Sequence, residues 1–254
     1  MTQEISPHLH DEHSHEAIAA RLDSDLIHGD LGDVVLGAVD GTVTTFAIVS
    51  GIAGTGLESG VLVAFILGLS NVLADGFSMG ASNYLKARSD QQLIDNYRRI
   101  EEHHIDHVPE YEREEVRQIY SRKGFSGQLL EDIVATITSD RDRWVNTMLT
   151  DEWGLQLSQI SPLRSGLLTF GAFLFAGLIP LAPLLLGLYP NWTNHDIFLL
   201  SAVLTSGVFL VTGALRGVVL RVSVLRSAFE TLLVGGIAAA IAYLLGVLLS
   251  GILL

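Results

Sequence analysis

Four residues between Gly60 and Asp90 pose the first chemical question. Asn71, Asp75, Met79 and Asn83 follow at intervals of four in GVLVAFILGLSNVLADGFSMGASNYLKARSD. A helix turns about every 3.6 residues, so all four fall near one face. The apolar run before them is long enough to enter a bilayer, and an ionisable residue inside a membrane span is a functional position by default. Carboxylate oxygens beside a thioether suit a borderline divalent ion such as Fe2+ or Mn2+. Mg2+ and Ca2+ prefer hard oxygen ligands. Neighbouring acids hold protons more tightly and a bound cation expels them, which is the minimal chemistry of an antiporter.

A second acid lies at similar depth on the preceding apolar run, DVVLGAVDGTVTTFAIVSGIAG. Asp40 sits about seven residues in, roughly 10 Å along a helix rising ~1.5 Å per residue. Asp75 lies about nine residues, or roughly 14 Å, from the end of its own run. Two such carboxylates on consecutive antiparallel spans predict a path between them. Thr42, Thr44, Thr45 and Ser78 add hydroxyls, and Gly41, Gly76 and Gly80 permit close helix approach. The competing reading makes Asp75 a protonated packing group hydrogen-bonded to Asn71, with Met79 as ordinary core.

The polar middle of the chain holds a second acidic set. Glu101 and His104 are three apart, Glu112 and Glu115 are three apart, and Met148 and Glu152 are four apart. Each pair shares a helical face, as do most pairs on a merely solvated helix surface. A His-rich tract, HLHDEHSHE, with His8, His10, His13 and His15, belongs to an acidic segment over 1–30. It reads either as a weak metal-binding tail or as a disordered terminus. Glu101-x-x-His104 also has the spacing of ferritin-like di-iron sites, but its only counterpart is Glu12-x-x-His15 in that tail.

The elements that must position these residues follow from how charge is segregated. Of 28 Asp and Glu, only Asp40, Glu58, Asp75, Asp196 and Glu230 fall outside residues 1–33 and 86–164. The chain is 49% hydrophobic, so the pattern is that of a membrane protein with one large polar insert. Predicted spans cover about 33–54, 60–84, 165–188, 197–215 and 228–253, each near the ~20 residues that a ~30 Å hydrocarbon layer needs.

The insert reads as helices over 91–107, from Pro109 to a stop at Gly124, from a Ser126 cap through LLEDIVATITSD, and over 140–153. Ile94, Tyr97, Ile105, Val116, Ile119, Leu130, Ile133 and Ile137 give these helices apolar faces for a small bundle. With five spans, all fifteen Lys and Arg fall on one side. That places the N-terminus and the insert in the cytoplasm and the C-terminus outside. A net charge of −13 argues against nucleic acid as a partner and is compatible with cations. The absence of cysteine excludes disulfides and thiolate ligands. The first 30 residues lack the basic and apolar regions of a secretory signal.

These stretches resemble the vacuolar iron transporters, a group that includes a yeast vacuolar calcium/manganese-type carrier and plant nodulin-like relatives. The resemblance rests on GDVVLGAVDGTVTTFAIVSG, DGFSMGASNYLKARS, the run around VPEYEREEV, WVNTMLTDEWGL, the paired Pro180 and Pro183, and RSAFETLLVGGIAA. It covers roughly residues 30–253. It implies an all-α homodimeric membrane protein with five spans per protomer and a cytoplasmic metal-binding insert between spans two and three. Segments would run 1–30 (tail), 31–85 (spans one and two), 86–161 (insert) and 162–254 (spans three to five).

The implied activity is proton-coupled export of Fe2+, with Mn2+ a possible second ion, from the cytosol, in a bacterial inner membrane. The partners would be divalent ions, protons and lipid, with no tightly bound cofactor and no enzymatic activity. Carried over by position, Asp40 and Met79 line the pore, and Glu101, Glu112, Glu115, Met148 and Glu152 are ligands. Two departures stand out. Asn71 occupies a pore glutamate's place, with Asp75 one turn later, and His104 replaces a ligand glutamate. The alternatives are a membrane-anchored di-iron ferroxidase and a metal sensor without transport.

Overall fold

The computed structural model describes residues 14–23, 28–157 and 161–253. His8, His10 and His13 of the predicted tail lie outside the described residues, as does Glu12. Within that tail, His15–Asp23 forms a short helix, α1, where the sequence predicts a solvated or disordered segment. The helix formers Ala17, Ala19, Ala20, Arg21 and Leu22 account for the difference.

All remaining elements among the described residues are helical as well. They are α2 (His28–Thr55), α3 (Gly60–His107), α4 (Pro109–Arg122), α5 (Gly127–Thr138) and α6 (Arg141–Thr147). A π-helical turn (Met148–Glu152) follows, and then α7 (Pro162–Leu178), a 3-10 segment (Ala182–Leu188), α8 (Asn194–Val219) and α9 (Val224–Leu253). The chain divides into two compact units: Met1–Asn83 with Leu163–Leu254, and Tyr84–Pro162.

In the first unit, four helices are long and apolar enough to cross a membrane, and a bent pair makes a fifth. The bend separates α7 from the 3-10 segment by 43°. A single span over 165–188 is therefore corrected to a broken one. Pro180 and Pro183 explain the break, because proline lacks an N–H and clashes with the preceding turn. Ser201 Oγ donates to the Pro180 carbonyl at 2.6 Å, satisfying a group that the broken helix frees inside an apolar layer.

The glycines predicted to let helices approach do so, but against α7. A Cβ on Gly41 would lie 2.5 Å from the Phe173 carbonyl oxygen, and one on Gly80 would lie 2.8 Å from that of Gly166. Beneath them, Val49, Val61, Ala64, Val72, Leu181, Leu184 and Ile197 form a buried apolar cluster.

The second unit is a small bundle. All eight apolar residues predicted for its faces belong to one cluster or pack against it. Its centre is completed by Val134, Trp144, Val145, Met148 and Leu149. Pro109 opens α4 at its first turn, and the chain leaves that helix through Gly124 at φ +98. There an L side chain would be strained. Ser126 occupies the N-cap of α5 with extended backbone, although its side chain makes no capping bond. Asp140 caps α6 by accepting from the Arg143 backbone N–H at 2.8 Å.

Candidate metal centre

Three potential ligands in the second unit converge from two consecutive helices. Glu101 and His104 project from α3 and Glu112 from α4, and one ligand atom from each lies within 4.8 Å of the others. His104 Nδ1 is 3.2 Å from Glu112 Oε1. The chain turns back at Val108 and Pro109, and this sharp return brings the two acidic helix faces together.

Both carboxylates are buried, Glu101 at 1% exposure and Glu112 at 2%. Glu101 Oε2 and Glu112 Oε2 are enclosed with no hydrogen-bond partner among the described residues. Two ionised carboxylates in that state would be costly, because buried charge needs a partner. A proton held between them or a cation removes the conflict. Burial, reinforced by the carboxylates of Glu115, Glu101 and Glu152, pushes the Glu112 carboxyl up to about 8. The Glu101 carboxyl, close enough to share that proton, acts in the same direction.

The other predicted ligands differ in their surroundings. Glu115 and Glu152 are exposed residues at the margin of this cluster. The Glu152 carboxyl is still pushed up to about 7, by partial burial and by the charges of Glu101 and Glu115. Met148 is fully enclosed in the apolar core. The spacing of Met148 and Glu152 predicts a shared α-helical face, but the segment is a π-helical turn, with the Trp153 N–H reaching the Met148 carbonyl at 3.2 Å. The widened turn leaves the thioether enclosed and the carboxylate exposed, and such turns recur at functional sites.

Sequence reasoning missed Trp153. Its Nε1 donates to Glu101 Oε1 at 2.8 Å, and its ring lies 4.3 Å from that of Tyr97. The indole therefore orients the carboxylate, and the available signal was a tryptophan, whose N–H needs an acceptor, directly after an acid.

In the first unit, Asp40 is half-buried on α2 and within electrostatic reach of Asp75 on α3. The two predicted acids are thus near neighbours. Asp75 is exposed on the isolated chain, Met79 is half-buried, and Asn71 holds its Nδ2 buried without a hydrogen-bond partner among the described residues. No Asn71–Asp75 hydrogen bond forms among the described residues to support the packing alternative. Asn83 departs from the rest of the stripe. Its Nδ2 donates to Asp33 Oδ1 and Thr169 Oγ1, both at 2.7 Å, and Ser165 Oγ donates to Asp33 Oδ2 at 2.5 Å. The Asn83 end of the stripe thus ties the middle of α3 to α2 and α7.

A polytopic helical membrane protein with a buried carboxylate–imidazole cluster in its polar unit is the class these features define. Residues 31–247 match the VIT family, and the chain belongs to it. It is 32% identical over 223 residues to a vacuolar iron transporter of Toxoplasma gondii, covering 85% of this chain and 73% of that protein. It is 30% identical over 214 residues to vacuolar iron transporter 1 of Arabidopsis thaliana, covering 84% and 83%. A vacuolar iron transporter of Plasmodium berghei is 28% identical over 255 residues, covering 98% and 91%.

Proposed function

We propose that this protein is a transporter and not an enzyme, exporting Fe2+, and also Mn2+, from the cytosol in exchange for protons. The insert captures the ion through Glu101, His104, Glu112, Glu115 and Glu152, with Met148 beside them. The Asp40, Asp75, Met79 and Asn71 zone passes it across the membrane. The observation that carries this reading is the pair of buried carboxyls, Glu101 and Glu112, whose inner oxygens have no donor and whose neighbour is an imidazole. A group poised to keep a proton when empty and to release it to a cation couples the two ions directly.

The N-terminus and insert lie in the cytoplasm and the C-terminus outside, in a bacterial inner membrane, as the one-sided Lys and Arg pattern supports. The working form is a homodimer. Asp75, with Phe77 at 69% exposure nearby, lies on the outer surface of the single chain. A carboxylate facing lipid is expensive, and a second protomer supplies the missing cover. Fe2+ and Mn2+ uptake into proteoliposomes under an imposed pH gradient, with internal pH recorded, tests the reading. Absence of flux for both ions overturns it, and flux without proton movement overturns the coupling.

A further inference from the structure

The helix that supplies Glu101 and His104 also carries two other histidines, His103 and His107, which play no part in the cluster. They are exposed, whereas Glu101 and Ile105 on the same helix are buried. At about 100° of rotation per residue the pair lies away from the buried face. The rings lie 4.0 Å apart with 42° between their planes. His107 Nδ1 is 2.8 Å from the His103 carbonyl oxygen. A carbonyl can only accept, so Nδ1 bears the hydrogen and the lone pair belongs to Nε2. Metal-binding histidines are commonly oriented in this way, with one ring nitrogen donating to a carbonyl and the other left to ligate. Asp106, between them in sequence, is held by the Arg141 guanidinium and is close enough to both imidazoles to interact with their charge.

We propose that His103 and His107 form a second metal site, a two-imidazole chelate open to solvent on the face of α3 away from the carboxylate cluster. Two histidines one turn apart can converge on one ion at ~2.0–2.1 Å from each nitrogen, with water completing the shell. Imidazole donors without carboxylate or thioether select Zn2+, Cu2+ or Ni2+, and the general affinity order places Mn2+ and Fe2+ well below these. The molecule thus carries two sites with different donors on one helix, and the second does not depend on the export reading.

Equilibrium dialysis of the full chain in detergent, with Zn2+ or Mn2+ as the only added metal, tests the site. The variants are His103→Gln, His107→Gln, the double His variant, and Glu101→Gln with Glu112→Gln. The tail histidines are the same in all of them and cancel. The double His variant is expected to lose one bound Zn2+ per chain and keep its Mn2+ binding, and each single variant to lose the same Zn2+. The carboxylate variant is expected to retain that Zn2+. Cu2+ loaded into the carboxylate variant gives nitrogen hyperfine structure in which the component from this pair is lost with either histidine, leaving only what the double His variant also shows. Unchanged Zn2+ stoichiometry and affinity in the double His variant overturns the proposal. So does loss of the same Zn2+ in the carboxylate variant. Because both side chains are exposed, the far-ultraviolet circular dichroism of every His variant should match the parent.

Discussion

The two units treat their acids in opposite ways. In the polar unit, Glu101 and Glu112 are almost fully enclosed, with an imidazole and an indole against them. In the membrane unit, Asp40 is half-buried and Asp75 exposed, and only their mutual proximity links them. One unit builds a closed site within a single chain. The other leaves a carboxylate exposed on the surface of the single chain. Burial strengthens electrostatics on both sides of the equation, making an empty cluster costly and a filled one favourable. Under the proposed function, that contrast assigns capture to the polar unit and passage to the open membrane face.

The sharpest break in this comparison is Asp40→Ala. Under the proposed function it reduces Fe2+ flux in proteoliposomes to background while size-exclusion chromatography still shows the parent assembly. Near-normal flux would remove Asp40 from the path. Next comes Glu112→Gln, expected to weaken Fe2+ or Mn2+ binding by more than the ~10–100-fold typical of losing an outer-shell partner.

The same variant probes the pH response. The Glu112 carboxyl rises from 4.5 to about 8 on folding, so the folded protein holds a proton that the unfolded chain releases. Without metal, that stabilisation is complete below about 4.5 and is lost as pH climbs to about 8. Thermal melts of the metal-free protein should fall across this window and flatten in Glu112→Gln. An identical pH profile in the variant would show that Glu112 does not hold the proton.

Trp153→Phe keeps the ring and removes the donor to Glu101. It should lower metal affinity by roughly tenfold, at the lower end of the outer-shell range, with the fold unchanged. Titration showing parental affinity would reduce Trp153 to packing. In the membrane unit, Gly80→Ala puts a methyl against the Gly166 carbonyl and should cost about 1–3 kcal/mol in detergent unfolding. Ser201→Ala should cost least, about 0.6 kcal/mol, the usual value of an interhelical hydrogen bond in a membrane protein.

Much of this was legible in the sequence where the signal is periodic. Apolar runs marked the spans, Pro109 and Gly124 bounded α4, and the apolar residues of the insert marked its core faces. The break in the third span was visible only as two prolines, because whether proline kinks or interrupts a helix depends on which neighbour satisfies the freed carbonyl. Here that neighbour is Ser201. The grouping of Glu101 and His104 followed from spacing along one helix, whereas their meeting with Glu112 depended on how tightly the chain returns at Val108. The four-residue spacing of Met148 and Glu152 implies a shared face on an α-helix, and the π-helical turn alters that relation.

Local chemistry settles what the sequence determined alone: helices, their ends, the segregation of charge and the identity of the acids. Those properties depend on residues within a turn or two of each other. Tertiary structure alone decided which acids lose their water, that Asn83 would turn to Asp33 and Thr169, and that Trp153 would hold Glu101. Desolvation and long-range hydrogen bonds are properties of surfaces brought together in space, and no spacing along the chain encodes them directly.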